Sequence, residues 1–303
     1  MLQFYPVTLE DREWMTAYYR KKNYMGAQYS FAANFVWQPG YGIEVCRQAG
    51  VVYLRFRPTA ESGPHYRCPT DEDGRPSADG LRELEAFCRA QGQPLRLYSL
   101  PEADCLFLEQ TCPGRFAFTL LRDDCEYIYS QAQLATLAGK KLHAKRNFIH
   151  RFTEQPWRYE SVTPGQVETC WQLHLEWCRR YGCGNGDGSG TLCAEKQAVR
   201  RCFDHWQLLG LCGGLLYQHD RPVAYTVGER VGGDTFAVHF EKALADVAGA
   251  YPAINQQFVL HEAEGCLFVN REEDMGDEGL RRAKLSYVPL RLLPVYRAEE
   301  RHV

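Results

Sequence analysis

The chain has 303 residues, 45% hydrophobic and 24% charged. This is a globular composition with room for two domains, and it excludes a disordered or fibrous chain. The net charge of -3 excludes a generally basic nucleic-acid binder, so any RNA contact has to be a local patch. Most of the thirteen cysteines lie in apolar patterns (Cys88, Cys105, Cys170, Cys202 and Cys266 among them), where a thiol acts as a small hydrophobe and not as part of a disulfide framework. MLQFYPVTLEDREW lacks the features of a signal peptide, and no run approaches the roughly 18 apolar residues of a membrane span. A reduced, cytoplasmic, bacterial-style protein is expected.

In chain order, LQFYPV predicts a strand, and Thr8 with Asp11 a capping box for a helix carrying Trp14 and Tyr18. QYSFAANFVWQ (28–38) predicts a second helix. GIEVCR and VVYLRFRP form a hairpin across Ala49 and Gly50, and residues 58–77 read as loop. ADGLRELEAFCRAQG predicts a helix, PLRLYSL a strand, EADCLFLEQ a helix and RFAFTLL a strand. Residues 125–155 form a connector, aromatic at first and then a basic helix. WRYESV predicts a strand, and Thr163-Pro164 starts a helix that bears Val167, Trp171, His174 and Cys178. GCGNGDGSG (182–190) is a candidate lid before a further helix with Val199, Cys202, Phe203 and Trp206. Three strands follow, at 214–218, 222–230 and 234–243, the last two joined at Gly232-Gly233. A helix with Ile254 and Phe258, the strand CLFVNRE, the helix GLRRAKLSY and a last strand over 289–298 complete the chain.

The second half thus reads β-α-α-β-β-β-α-β-α-β, and the first half is a worn copy of that order. It resembles the acyltransferase fold known as GNAT, and two copies resemble the tandem-GNAT aminoacyltransferases, Fem-type enzymes among them. DCEYIYSQAQLATLAGKKLHAKRNFIHRF, GGLLYQHDRPVAYTVGE, DTFAVHFEKA, GAYPAINQQF and VNREEDMGDEGLRRAKLSYVP narrow this further. They resemble the family related to the catalytic C-terminal domain of phosphatidylglycerol lysyltransferase. In the lysyltransferases proper a multi-span flippase precedes this domain. The expected class is α+β with mixed sheets: a GNAT-like unit over 1–125, a linking basic helix over 126–155 and a second unit over 156–303.

Acyl transfer needs donors for a developing oxyanion and a destination for the nucleophile's proton. Lys284 resembles the helix lysine of Fem-type and lysyltransferase enzymes. The resemblance implies contact with the donor ester or its leaving group, although Ala283 stands where the family has an aromatic. A solvated helix face beside Arg281 and Arg282 is the other reading. In NREED, Asn270, Glu272 and Asp274 alternate off a strand end, where α/β sheets bind ligands. Glu272 or Asp274 could deprotonate an amine, or could balance Arg281 and Lys284. His239 and Glu241 alternate on one strand and share a face unless a bulge intervenes; either is a candidate base, and a core histidine is the alternative.

Gly249 stands where acetyl-CoA-dependent GNATs cradle pyrophosphate, but Leu244, Asp246 and Val247 replace the other glycines. Tyr251, Asn255 and Tyr287 are candidate substrate contacts. Lys141, Lys145, Arg146 and Asn147 lie on the basic helix, suited to a tRNA acceptor stem or an anionic headgroup, or simply a solvated linker. No metal motif is present. The expected function is aminoacyl transfer from aminoacyl-tRNA to a lipid headgroup or peptidoglycan precursor, with no tightly bound cofactor. An acyl-CoA-dependent N-acetyltransferase and a non-catalytic tandem-GNAT module are the alternatives.

Overall fold

The computed structural model describes residues 1–57, 62–181 and 191–301. The expected lid at 182–190 lies outside them. The first unit contains β1 (Tyr5–Pro6), α1 (Arg12–Lys22), α2 (Phe31–Tyr41), β2 (Glu44–Gln48), β3 (Val51–Phe56), β4 (His65–Tyr66), β5 (Thr70–Asp71), α3 (Ala78–Ala90), β6 (Arg96–Leu100), α4 (Glu102–Thr111) and β7 (Phe116–Leu120). Next come β8 (Glu126–Ser130), α5 (Gln131–Thr136), α6 (His143–Thr153), β9 (Trp157–Ser161), α7 (Val167–Tyr181), α8 (Thr191–Asp204) and α9 (Trp206–Leu209). The remainder is β10 (Cys212–Gln218), β11 (Arg221–Val231), β12 (Thr235–Ala243), α10 (Ala250–Glu262), β13 (Phe268–Asn270), α11 (Glu278–Leu285), β14 (Arg291–Leu293) and β15 (Tyr296–Glu300).

Two mixed sheets result, each of the GNAT type. One runs β1-β2-β3-β4-β6-β15-β7, with β5 beside β3; the other runs β14-β8-β13-β12-β11-β10-β9. Sheet membership crosses the expected division of the chain. The aromatic start of the connector is a strand, β8, between β13 and β14. The single strand expected over 289–298 is two: Pro294 interrupts it, β14 stays in the second sheet, and β15 enters the first between β6 and β7. The second sheet is thus built from one continuous run, β8 to β14, while the first takes in β15 from the far end of the chain. The expected loop at 58–77 contains the short strands β4 and β5.

The helices start and stop for identifiable reasons. Thr8 N–H and Oγ1 donate to Asp11 Oδ2 at 2.9 and 3.2 Å, and Thr163 pairs likewise with Gln166. The second helix begins at Phe31, with the Ser30 hydroxyl accepting from Ala33 N–H, and continues through Pro39. Proline cannot donate to the carbonyl four residues back. That carbonyl, on Phe35, instead accepts from Arg201 Nε of α8 at 3.0 Å. The same helix pair anchors a core shared by both units, with Phe31, Phe35 and Val36 packed in one cluster with Val199, Cys202, Phe203 and Tyr225. At the β11–β12 turn, a Cβ on Gly232 would lie 2.3 Å from the backbone of Asn23 and Tyr24, so only glycine lets the hairpin meet the first unit.

Candidate active site

β12 and β13 pair in parallel only through Thr235–Phe268, Phe236–Val269 and Ala237–Asn270. Beyond these pairs β12 continues to Ala243 without β13, and the strands part. Side chains from both strands and from α10 and α11 face this gap.

A bulge shapes it. Gly228 pairs with Val238 and Val227 with Phe240, so His239 is an extra residue in the ladder. The expected common face for His239 and Glu241 is therefore not formed. Glu241 turns towards α10, where Asn255 Nδ2 donates to its Oε2 at 3.1 Å. From across the gap, Arg271 Nη2 donates to Glu241 Oε1 at 2.8 Å. The Arg271 guanidinium also lies 4.6 Å from the Tyr287 ring centroid.

His239 is held between Glu272, 2.7 Å from Nδ1, and Glu229, 3.0 Å from Nε2. Burial opposes charge on the ring, but the hydrogen bonds and charges of the two carboxylates outweigh it and raise its pKa to about 10. At neutral pH the ring is an imidazolium with no lone pair to accept a proton.

The alternation expected for Asn270, Glu272 and Asp274 breaks because β13 ends at Asn270 and Glu272 has φ +57°. Asn270 Nδ2 donates to Met25 O at 2.9 Å and to the buried Glu126 at 2.5 Å, tying the site to the first unit. Asp274 is fully buried and accepts from Tyr127 Oη (2.6 Å), Arg122 Nη1 (3.1 Å), Arg281 Nε (2.9 Å) and Gly276 N–H (3.0 Å). Burial alone would raise its pKa, but these donors, Arg281 first, hold it far below the carboxylate range. Asp274 is thus an anchor for the turn, and Arg281, which also binds Asp123, is committed to that anchor.

Lys284 projects inward from α11 and is 8% exposed. Its Nζ donates to Arg271 O at 2.6 Å and to Glu273 O, and sits 5.7 Å from the Tyr127 ring centroid. Burial lowers its pKa against the pull of Glu273 and Glu272. Glu273 is shifted upward, by burial and then by Glu272, against the pull of Lys284 and of its own backbone N–H.

On the basic helix α6, Lys145 alone of the expected residues reaches the site. Its Nζ lies 4.1 Å from the Tyr287 centroid, on the ring that Arg271 also approaches. Burial, then Arg271, lowers its pKa. Arg146 turns back to cap the chain after α5, donating to Leu137 O and to Gly139 O (2.8 Å). Lys141 and Asn147 are exposed. A Cβ on Gly249, which has φ +85°, would lie 2.2 Å from Phe148 O, so α6 rests on the start of α10. At that start Ala250 N–H donates to Val247 O, Ala253 N–H donates to Gly249 O, and Pro252 has no N–H. Tyr251, partly exposed, accepts from Trp177 Nε1 at 3.1 Å.

The family model described as "Phosphatidylglycerol lysyltransferase, C-terminal" matches residues 20–299. The chain belongs to this family. A conserved protein of unknown function from Bacteroides thetaiotaomicron is 34% identical, with 99% of this chain and 100% of that one covered and a TM-score of 0.91. L-PGS from Bacillus licheniformis is 13% identical over 89% of this chain and 86% of its own, with a TM-score of 0.59. FemX is 8% identical over 98% and 95%, with a TM-score of 0.53. No curated protein matches the chain. Membership of the phosphatidylglycerol lysyltransferase C-terminal family points to a transferase, and the fold is shared with L-PGS and FemX. Among the described residues no helix is long and apolar enough to cross a membrane.

Sequence reasoning missed Arg271, Glu273, Glu126 and Glu229. A single acid in the apolar run EYIYS was a usable signal for Glu126. Arg271 and Glu273 were passed over because strict alternation assigned them to the other face. A cavity of about 20 Å³ in the first unit, beside Tyr18, Lys22, Arg67 and Asp104, has room for a water molecule and lies apart from this gap.

Proposed function

We propose that the chain transfers an aminoacyl group from aminoacyl-tRNA to an amine or hydroxyl acceptor, a lipid headgroup or a peptidoglycan precursor. The observation that carries this reading is the start of α10. A pyrophosphate cradle needs several convergent backbone N–H groups at a helix N-terminus. Here two of them are used internally, a proline supplies none, and α6 covers the turn. This counts against an acyl-CoA donor, while the exposed charges on α6 and the turn before it, Arg151 and Lys141 among them, suit an RNA backbone.

In the step itself the acceptor nitrogen or oxygen bonds to the ester carbonyl carbon, and the bond from that carbon to the ribose oxygen breaks. The Lys284 ammonium has one N–H beyond its two carbonyl partners, available for the developing oxyanion. Glu273 in its ionised form, with its raised proton affinity, takes the acceptor's proton, which then passes to the departing ribose oxygen. The first unit, joined through Asn270 and Glu126, shapes the acceptor side.

The test is incubation with tRNA charged with radiolabelled amino acids and with extracts of lipid and peptidoglycan precursors, with acetyl-CoA in parallel. Label moving from tRNA to an acceptor supports the reading; acetylation alone would overturn it. A second reading, a non-catalytic tandem-GNAT module, is favoured by the two ion pairs that bridge the gap, His239–Glu272 and Arg271–Glu241. Mass spectrometry showing identical lipids and precursors with and without the protein would favour it.

A further inference from the structure

Half of the six buried side-chain polar atoms that lack a partner, among the described residues, surround one carboxylate. They are Thr226 Oγ1, Asn255 Oδ1 and Arg271 Nη1. Thr226 faces Glu241 in register across β11 and β12, and the other two residues donate to it. Thr226 and Asn255 are fully buried. Leaving such an atom unpartnered forfeits its hydration with nothing in return, so native proteins normally satisfy it. Three such atoms gathered where β12 and β13 part call for an occupant.

We infer that this niche receives the acyl group and selects one bearing an uncharged substituent that both donates and accepts hydrogen bonds. The inference rests on the aminoacyl-transfer reading given above. Arg271 Nη1 is a donor, Asn255 Oδ1 an acceptor, and Thr226 Oγ1 serves as either. The Asn255 amide is oriented by Glu241, which needs its Nδ2, so the oxygen is what remains for a ligand. A hydroxyl or carboxamide complements all three.

Charge excludes the other classes. Glu241 is already neutralised by Arg271, and Lys145 approaches the same Tyr287 ring, so an incoming ammonium meets excess positive charge. A carboxylate has no hydrogen to donate to the Asn255 oxygen and leaves it unpartnered. An acetyl or alanyl group leaves the three atoms unpartnered. Seryl, threonyl and asparaginyl groups fit, and lysyl does not.

The experiment measures kcat/KM for transfer from tRNA charged with serine, asparagine, alanine or lysine, using the whole chain and its Thr226→Val and Asn255→Leu variants. Seryl and asparaginyl donors are expected to exceed alanyl and lysyl by about tenfold or more, since a site built to hydrogen-bond a polar group rejects analogues that lack it. In either variant the seryl-to-alanyl ratio falls towards unity. If Asn255→Leu does not fold, the near-isosteric Thr226→Val decides alone. A wild-type preference for lysyl or alanyl, or a ratio unchanged by the substitutions, overturns the inference and leaves aminoacyl transfer standing. Acetyl transfer with no use of any charged tRNA removes both.

Discussion

Glu241 and Arg271 meet at 2.8 Å across the gap between β12 and β13, and both side chains are close to nine-tenths buried. The pair closes a sheet that its backbone leaves open. Two charges so placed stabilise little on balance, yet removing one strands the other. Arg271→Met is therefore expected to cost about 3–5 kcal/mol in urea unfolding. The double variant with Glu241→Leu should recover most of that loss. A single-variant loss below about 1 kcal/mol would mean the pair is solvated and the gap already open.

Glu126 links the sheets and carries a pH dependence. Burial raises its pKa from 4.5 to about 7, despite hydrogen bonds from Asn270 and Ala27. Between those values the folded chain holds a proton that the unfolded chain has released, so stability falls as pH rises through the window. Glu126→Gln removes the titration. Its advantage over the native residue should be absent below pH 4.5 and grow to on the order of 3 kcal/mol above pH 7. Unfolding midpoints measured across that range check this; a constant difference would show that the side chain does not titrate there.

Much of the architecture was legible in the sequence, because it is written in local signals. The Thr8–Asp11 capping pair, the N-cap at Thr163 and the element order of the second unit as far as α11, apart from the short α9, appear as read. What was not legible depends on distant partners. Nothing near EYIYS announces a strand between β13 and β14, and nothing near Pro294 tells which sheet receives the strand after it. The site shows the same limit. Alternation rightly drew attention to NREED, but a positive φ at Glu272 and the bulge at His239 redistribute these side chains among different partners. One-residue irregularities reverse faces, and period-two reasoning has no access to them.

Gly249 is constrained twice, by its left-handed backbone and by the Phe148 carbonyl. Gly249→Ala should cost about 1–3 kcal/mol from the backbone alone, and more because α6 must shift. Since α6 carries Lys145 to Tyr287, the variant should also loosen the site. Hydrogen exchange at the amides of α6 and of the first turn of α10 should rise together; a rise confined to α10 would show that the contact between the helices is slack.

Lys284 is the residue on which the chemistry turns. Lys284→Met keeps the stem that fills its place above Tyr127 and removes the charge. If the ammonium faces the oxyanion, transfer should fall about 10²–10³-fold, as when one fixed donor is removed from such a site. Lys284→Arg keeps the charge but carries it on a planar fork that does not match the point-like arrangement at two carbonyls, so rescue should be partial. Burial lowers the lysine pKa, so the wild-type rate should decline on the alkaline side below the usual lysine range. That limb should disappear in Lys284→Met, while the unfolding midpoint shows that the variant remains folded. A folded Lys284→Met enzyme with an unchanged rate and pH profile would remove the lysine from the mechanism and turn attention to the unpartnered Arg271 Nη1 in the same gap.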